Sequence, residues 1–169
     1  MNKNPKQTAK NYDLTMQKVF TKKYIAQAFR AKDLMLSSKE PVLQLIISHL
    51  TNKLEHLLDK IVLSATEANR TIINLNLLEY ALNTKYEELV VDLPPRIFSG
   101  KYMAVCIREK GKMVSNMEPV LPMLKKVLFK KLLLLVEKSA YACKISKKVI
   151  ITKDLMNLAL EMADGNETT

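Results

Sequence analysis

Apolar residues recur at helical spacing in six stretches of the chain, two of them long. Tyr24, Ile25, Ala28 and Phe29 share one face of a short helix predicted over residues 22–30. The period breaks over residues 32–39. There Ser37-Ser38 ahead of Glu40-Pro41 reads as a helix start, a serine cap with proline in the first turn. From residue 42 to 65, Leu43, Ile46, Ile47, Leu50, Leu54, Leu57, Leu58, Ile61 and Val62 form a wide stripe on a helix of about seven turns. Two short neighbours cannot cover such a stripe, so this helix demands a partner. Residues 70–74, with β-branched Thr71, Ile72 and Ile73, predict an extended connection ending at Asn74, a natural cap. The next helix, over 75–83, shows an apolar face of Leu75, Leu78 and Leu82 with Leu77 and Ala81 beside it.

After a link over 84–98, with one turn at 86–89 and Pro94-Pro95 ending it, the order repeats. A short helix starts at Gly100 or Lys101 and runs to Glu109, followed by the basic loop Lys110-Gly111-Lys112 and a cap at Ser115 or Asn116. The second long helix is expected over about 118–142, then a loop over 144–151, a Thr152 cap and a last helix over 153–162. Residues 1–21 are polar and dotted with lysine, an expected mobile tail, and 164–169 read as a short frayed end.

The recurrence is literal. Shifted by 78 positions and without a gap, Asn69-Arg70-Thr71-Ile72-Ile73-Asn74 meets Lys147-Lys148-Val149-Ile150-Ile151-Thr152. At the same offset Glu40-Pro41-Val42-Leu43 meets Glu118-Pro119-Val120-Leu121, and Lys23-Tyr24 meets Lys101-Tyr102. Arg30, Lys32, Leu50, Lys53, Leu54 and Leu57 fall on Arg108, Lys110, Leu128, Lys131, Leu132 and Leu135. One offset kept over so long a span means a tandem duplication. The units are 22–90 and 99–163, joined by 91–98, in an all-α fold.

Composition agrees with helices: Trp is absent, glycine numbers 3, and Met, Leu and Lys are common. The net charge of +10 is uneven, +3 over 1–21, +1 over 22–90 and +6 over 91–169. That distribution suggests a polyanionic partner, nucleic acid before an anionic membrane surface. The longest apolar run, residues 132–136, is far too short to span a bilayer, and no apolar leader opens the sequence, so a soluble intracellular protein is expected. Cys106 and Cys143, among apolar neighbours, read as small buried hydrophobes rather than a disulfide or a nucleophile. His49 and His56 lie seven apart near Glu55 and Asp59 and read as a polar stripe facing a partner or solvent rather than a metal site. With no zinc spacing, glycine-rich phosphate loop, stacking platform or nucleophile–base–acid grouping, the sequence predicts neither an enzyme nor a cofactor.

Two units of short helix, loop, long helix, extended loop and short helix resemble the histone fold. Ser37-Ser38-Lys39 with Asn69-Arg70-Thr71-Ile72 is similar to the loops of histone 2B. Arg108-Glu109-Lys110-Gly111, Pro119-Val120-Leu121 and Val149-Ile150-Ile151 are similar to histone 2A. A 2B-like unit followed by a 2A-like unit resembles the fused histone doublets of giant viruses of the marseillevirus group, in particular their short variant form. The resemblance implies two tandem histone folds closing as an intramolecular handshake dimer. It also implies a partner resembling a histone 4–3 doublet, a second copy of the chain in a nucleosome-like particle, and a place in the virion and in the host cell's viral factory or nucleus. Where histone 2A carries acidic residues on its long helix, this chain has Val127, Leu132 and Leu135 among Lys125, Lys126, Lys130 and Lys131. An acidic surface patch is therefore not expected.

If the units pair, Lys39 meets Lys147 and Lys148 at one end, and Arg70 meets Lys110 and Lys112 at the other. Loop amides, threonine hydroxyls and helix N-termini there would add ligands for phosphate. The candidate contacts to double-stranded DNA are Lys22, Lys23, Arg30, Lys32, Lys39, Arg70, Thr71, Arg96, Lys101, Arg108, Lys110, Lys112, Lys147, Lys148 and Thr152. Contacts to phosphate position a duplex without reading it, so binding should tolerate any sequence and weaken steeply with salt. Two alternatives remain: a histone-fold interaction subunit of the transcription or polymerase accessory type, and an archaeal-type doublet that assembles along DNA unaided.

Overall fold

The structure, a computed structural model, describes residues 12–167; the expectations for 1–11 and 168–169 lie outside the described residues. The described residues are mostly helical. A short helix α1 (residues 12–17) is followed by α2 (Lys22–Arg30), the strand β1 (Met35–Leu36), the long helix α3 (Val42–Glu67), β2 (Ile72–Ile73) and α4 (Leu75–Leu82). A single 3-10 turn (Tyr86–Glu88) leads into the link, and then come α5 (Gly100–Glu109), β3 (Met113–Val114), α6 (Val120–Ser146), β4 (Ile150–Ile151) and α7 (Lys153–Glu167).

The two-residue strands fix how the halves sit. β1, before α3, pairs in parallel with β4, after α6; β2, after α3, pairs in parallel with β3, before α6. The start of each long helix therefore lies beside the end of the other, and the two run antiparallel. The contacts are reciprocal at the sequence offset of the repeat. Met35 N–H donates to Val149 O (3.2 Å), and its counterpart Met113 donates to Thr71 O (2.9 Å). Ser37 N–H donates to Ile151 O and Ser115 N–H to Ile73 O, both at 2.9 Å. Thr21 N–H donates to Ile97 O (3.2 Å) and Ser99 N–H to Val19 O (2.8 Å). Phe20 and Phe98, also counterparts, bridge to each other and meet edge to face, with ring centroids 5.8 Å apart. Counterparts that touch one another lie on a local twofold axis.

One core fills the space between the halves. The α3 stripe is buried from Val42 through Ile46, Ile47, Leu50, Leu54, Leu57, Leu58 and Ile61 to Ala65, and α6 answers with Leu124, Leu128, Leu132, Leu135 and Val136. Leu54 and Leu132, counterparts, have no exposure at all. Each such leucine contributes about 1.5–3 kcal/mol, so long helices without this mutual cover would not persist. Cys106 and Cys143 are buried free thiols, and no helix among the described residues is long and apolar enough to cross a membrane.

Several sequence expectations need correction. Residues 12–20 are not a free tail: Met16, Val19 and Phe20 are buried, and the Tyr12 hydroxyl donates to Glu55 Oε2 at 2.8 Å. The serines do not cap the long helices. Pro41 and Pro119 occupy the caps, while Ser37 Oγ and Ser115 Oγ accept from Lys39 N and Met117 N in tight turns two residues long. On α4 the buried residues are Leu77 and Leu78, with Leu75 and Leu82 only partly covered. The second long helix continues to Ser146, and α7 continues to Glu167 rather than ending at 162, because Ala163 packs in the core and Asp164 Oδ1 meets Lys53 Nζ at 3.2 Å.

Candidate nucleic-acid interface

The strand pairs sort most of the candidate basic residues into three groups. Beyond β1 and β4 stand Lys39, Lys147 and Lys148, all exposed, with Lys147 in the left-handed conformation (φ 55°) that turns the chain out of α6. Arg30 lies at the same end, lining a depression with Met35, Leu36 and Ser37. Lys32, exposed, sits in the turn between α2 and β1. Beyond β2 and β3 stand exposed Arg70 and Thr71, joined to the neighbouring loop because Lys112 Nζ donates to Arg70 O at 2.8 Å. Arg108, exposed, ends α5 beside β3. The third group lies at the local axis, where the α2 and α5 N-termini are held by the Thr21–Ile97 and Ser99–Val19 bonds. Lys22, Lys23, Arg96 and Lys101 are exposed there, and neither helix has an acid in its first turn.

Carboxylates hold two helix ends that were expected to be open to phosphate. Glu118 Oε2, at the start of one unit's long helix, accepts from Leu75 N at 3.3 Å. Its counterpart Glu40 accepts from Lys153 N. Each caps the short last helix of the opposite unit, where the helix dipole favours negative charge. The inner amides of the same helices are also taken: Asn74 Oδ1 accepts from Leu77 N (2.9 Å), and Thr152 Oγ1 accepts from Leu155 N (3.4 Å). Thr152 is thus a cap first. The signal for the carboxylates was present in the sequence, since Glu-Pro-Val-Leu opens both long helices.

No protein-family model matches the chain, and no curated protein matches it either.

Lys110 is drawn away from its loop. Its ammonium lies 2.6 Å from Glu55 Oε1 and 2.9 Å from Asp59 Oδ1 on α3, and 5.3 Å from the Tyr12 ring centroid. Burial works to lower its pKa, but the hydrogen bonds and charges of Glu55 and Asp59 outweigh it and hold the ammonium above the usual lysine range. Burial, followed by the bond and charge of Glu55, pushes the Tyr12 phenol far above its ordinary value. Burial, aided by Glu55 and opposed by Lys110, raises the Cys106 thiol to about 11. A thiol so held is no nucleophile at neutral pH. Lys126 lies with its Nζ 4.9 Å from the Tyr86 ring centroid. His49 and His56 line a cleft between α3, α6 and α7, and the described residues contain no group of three side chains placed to hold a metal ion.

Chemically, the arrangement offers fixed positive charge at two ends and a middle. The two ends are separated by the length of α3, 26 residues or about 39 Å.

Proposed function

We propose that the chain is a pair of tandem histone folds, 2B-like then 2A-like, closed on each other as a handshake dimer that packages DNA by sequence-independent contacts to phosphate. The observation that carries this reading is the reciprocal pairing of each unit's first loop with the other's second loop. It brings the loop of Lys39 beside that of Lys147 and Lys148, and the loop of Arg70 beside that of Lys112. The separation of about 39 Å between those ends is close to the 34–36 Å of one duplex turn, so both ends can grip phosphates about one turn apart. The central group at the axis supplies contacts between them. A polyanion gripped in this way releases counterions and is read by its shape and not by its bases.

In this reading the dimer joins a histone 4–3-like partner and a second copy of itself in a nucleosome-like particle, in the virion and in the infected cell. Exposed apolar residues support a protein partner: Leu63 and Tyr141 near the ends of the long helices are repeat counterparts, as are Tyr80 and Leu158 on the last helices, and all four are more than 40% exposed. The same residues favour the second reading, an interaction subunit that wraps no DNA. Nuclease digestion of duplex DNA separates the two. Protection in multiples of one fixed length, appearing only when a histone 4–3-like partner is added, is the expected result. A continuous digest with the partner present would leave the interaction subunit as the better account, and regular protection without it would favour unaided assembly.

A further inference from the structure

A strand that packs on one side and meets water on the other usually alternates apolar with polar residues. The four two-residue strands among the described residues do not follow that rule. Their inward positions are covered, as expected. The outward ones are Met35, Ile72, Met113 and Ile150, each between 49% and 57% exposed. The register sets Met35 beside Ile150 at one end of the molecule and Ile72 beside Met113 at the other. Backbone hydrogen bonds hold these strands together, so their pairing does not ask for apolar side chains on the open face.

Around these pairs the two units have diverged. Lys39 answers Met117, Leu34 answers Lys112, and Thr71 answers Val149. The outward methionine and isoleucine are nevertheless the same in both units. Each pair sits inside a basic rim, Lys39 with Lys147 and Lys148 at one end and Arg70 with Lys112 at the other. Ile72 also edges a depression of about 530 Å³ shared with Arg70, Thr71 and Ser115, and Met35 one of about 310 Å³ shared with Arg30, Ser37 and Ser38. Glu118 and Glu40 border the same depressions, but each is engaged in capping a short helix. An apolar ridge inside a basic rim suits a polyanion that carries apolar surface between two rows of charge. The minor groove of a duplex is such a surface, with sugars and base edges lying between phosphates.

We propose that the Met35–Ile150 and Ile72–Met113 pairs enter the minor groove of duplex DNA and pack on its deoxyribose walls, adding a contact that salt does not screen. The inference rests on the DNA-binding reading and deepens it. Paired strands stand about 5 Å apart, so each ridge matches a minor groove about 6 Å wide and is loose in a major groove about 12 Å wide. Two equivalent ends about 39 Å apart meet a duplex about one turn apart, where the same groove faces both. The basic rims then reach the phosphates that flank the groove, and the apolar pairs fill the space between them. Apolar side chains are used in this way by other proteins that bind the minor groove.

Fluorescence anisotropy with random-sequence duplex over a salt series tests it, comparing the whole chain with Met35→Thr/Ile72→Thr/Met113→Thr/Ile150→Thr. Threonine suits a strand and removes no charge, and Met35→Thr/Met113→Thr serves as a milder second variant. Both variants should keep the salt slope of the wild type. Affinity should fall about tenfold at every salt concentration for the fourfold change and about threefold for the twofold one. Heparin, a polyanion without a groove, should bind all three chains equally. Netropsin, which fills the minor groove of an A·T-rich duplex, should erase the difference between wild type and variants. Equal duplex affinity for all three chains, an equal loss on heparin, or a difference that survives netropsin would each overturn the proposal while leaving the phosphate grip in place. Loss of binding to polyglutamate with duplex affinity unchanged would also overturn it, and would assign the pairs to an acidic protein partner. A wild type that binds no duplex would remove the grip itself, and this inference with it.

Discussion

Replacing Lys110 with methionine should lower stability and leave DNA binding unchanged. Its side chain is 19% exposed and bridges Glu55 and Asp59, whose side chains are 32% and 59% exposed. The pair with Asp59 is open to water and contributes a few tenths of a kcal/mol to about 1 kcal/mol. The pair with Glu55 is better covered, and Glu55 is also held by Tyr12, so its charged hydrogen bond adds about 1–1.5 kcal/mol. The contact with the Tyr12 ring adds about 0.5–1 kcal/mol. Methionine keeps the apolar stem, so the loss is of charge and not of packing. A total of about 2–3 kcal/mol in a chain of 169 residues corresponds to a fall of about 4–12 °C in Tm. Circular-dichroism melts at low salt read this directly. Tyr12→Phe should cost less, and the double mutant less than the two single losses together, because they share Glu55. An unchanged Tm with a salt slope of duplex binding reduced by about one would refute the reasoning, since Lys110 would then face phosphate and not α3.

Leu54→Ala and Leu132→Ala should each cost about 2–5 kcal/mol. Both should unfold in one cooperative urea transition, because one core serves both units; two separated transitions would contradict that. Glu40→Gln and Glu118→Gln should each remove about 0.5–1 kcal/mol by stripping charge from the starts of α7 and α4. They should also tighten duplex binding, since a negative charge leaves each basic end; electrophoretic mobility shifts would detect a failure of this effect. The Cys106 thiol stays protonated in the folded chain up to about 11, while the unfolded chain releases that proton near the ordinary value of 9.0. Its contribution is therefore intact below pH 9 and lost between pH 9 and 11, by about 2–3 kcal/mol. The urea midpoint of the wild type should be lower at pH 11 than at pH 8, and the drop should be smaller for Cys106→Ala.

The helices were legible because their apolar periods are long and unmixed; the offset of the repeat gave the duplication, while the loop pairing was expected only on the condition that the two units pair, as the resemblance implied. Lys39 with Lys147 and Lys148, and Arg70 with Lys112, stand at common ends as that pairing requires. Two things hid the packing of residues 12–20. Met16, Val19 and Phe20 are too few and too close to lysine to make a period, and their cover comes from the far unit through Phe98. The counterpart relation between Phe20 and Phe98 was readable, yet only the three-dimensional axis says that counterparts touch. Residues 164–169 read as a short frayed end, but the burial of Ala163 and the Asp164–Lys53 pair carry α7 past 162, an instance of packing overriding propensity. Lys110 misled for a similar reason. Of its basic neighbours in sequence, Arg108 is exposed and Lys112 stays at the loop end on the Arg70 carbonyl, while its own ammonium reaches acids more than fifty residues earlier.

The most direct test of the central claim is a salt titration of binding to random-sequence duplex DNA, comparing the wild type with Arg70→Ala/Lys148→Ala. Grip by the paired loops predicts that log affinity falls steeply with log salt, and that the double mutant flattens the slope by about one to two. A shallow slope that the two substitutions leave unchanged would contradict it, and the fold would then serve protein contacts alone.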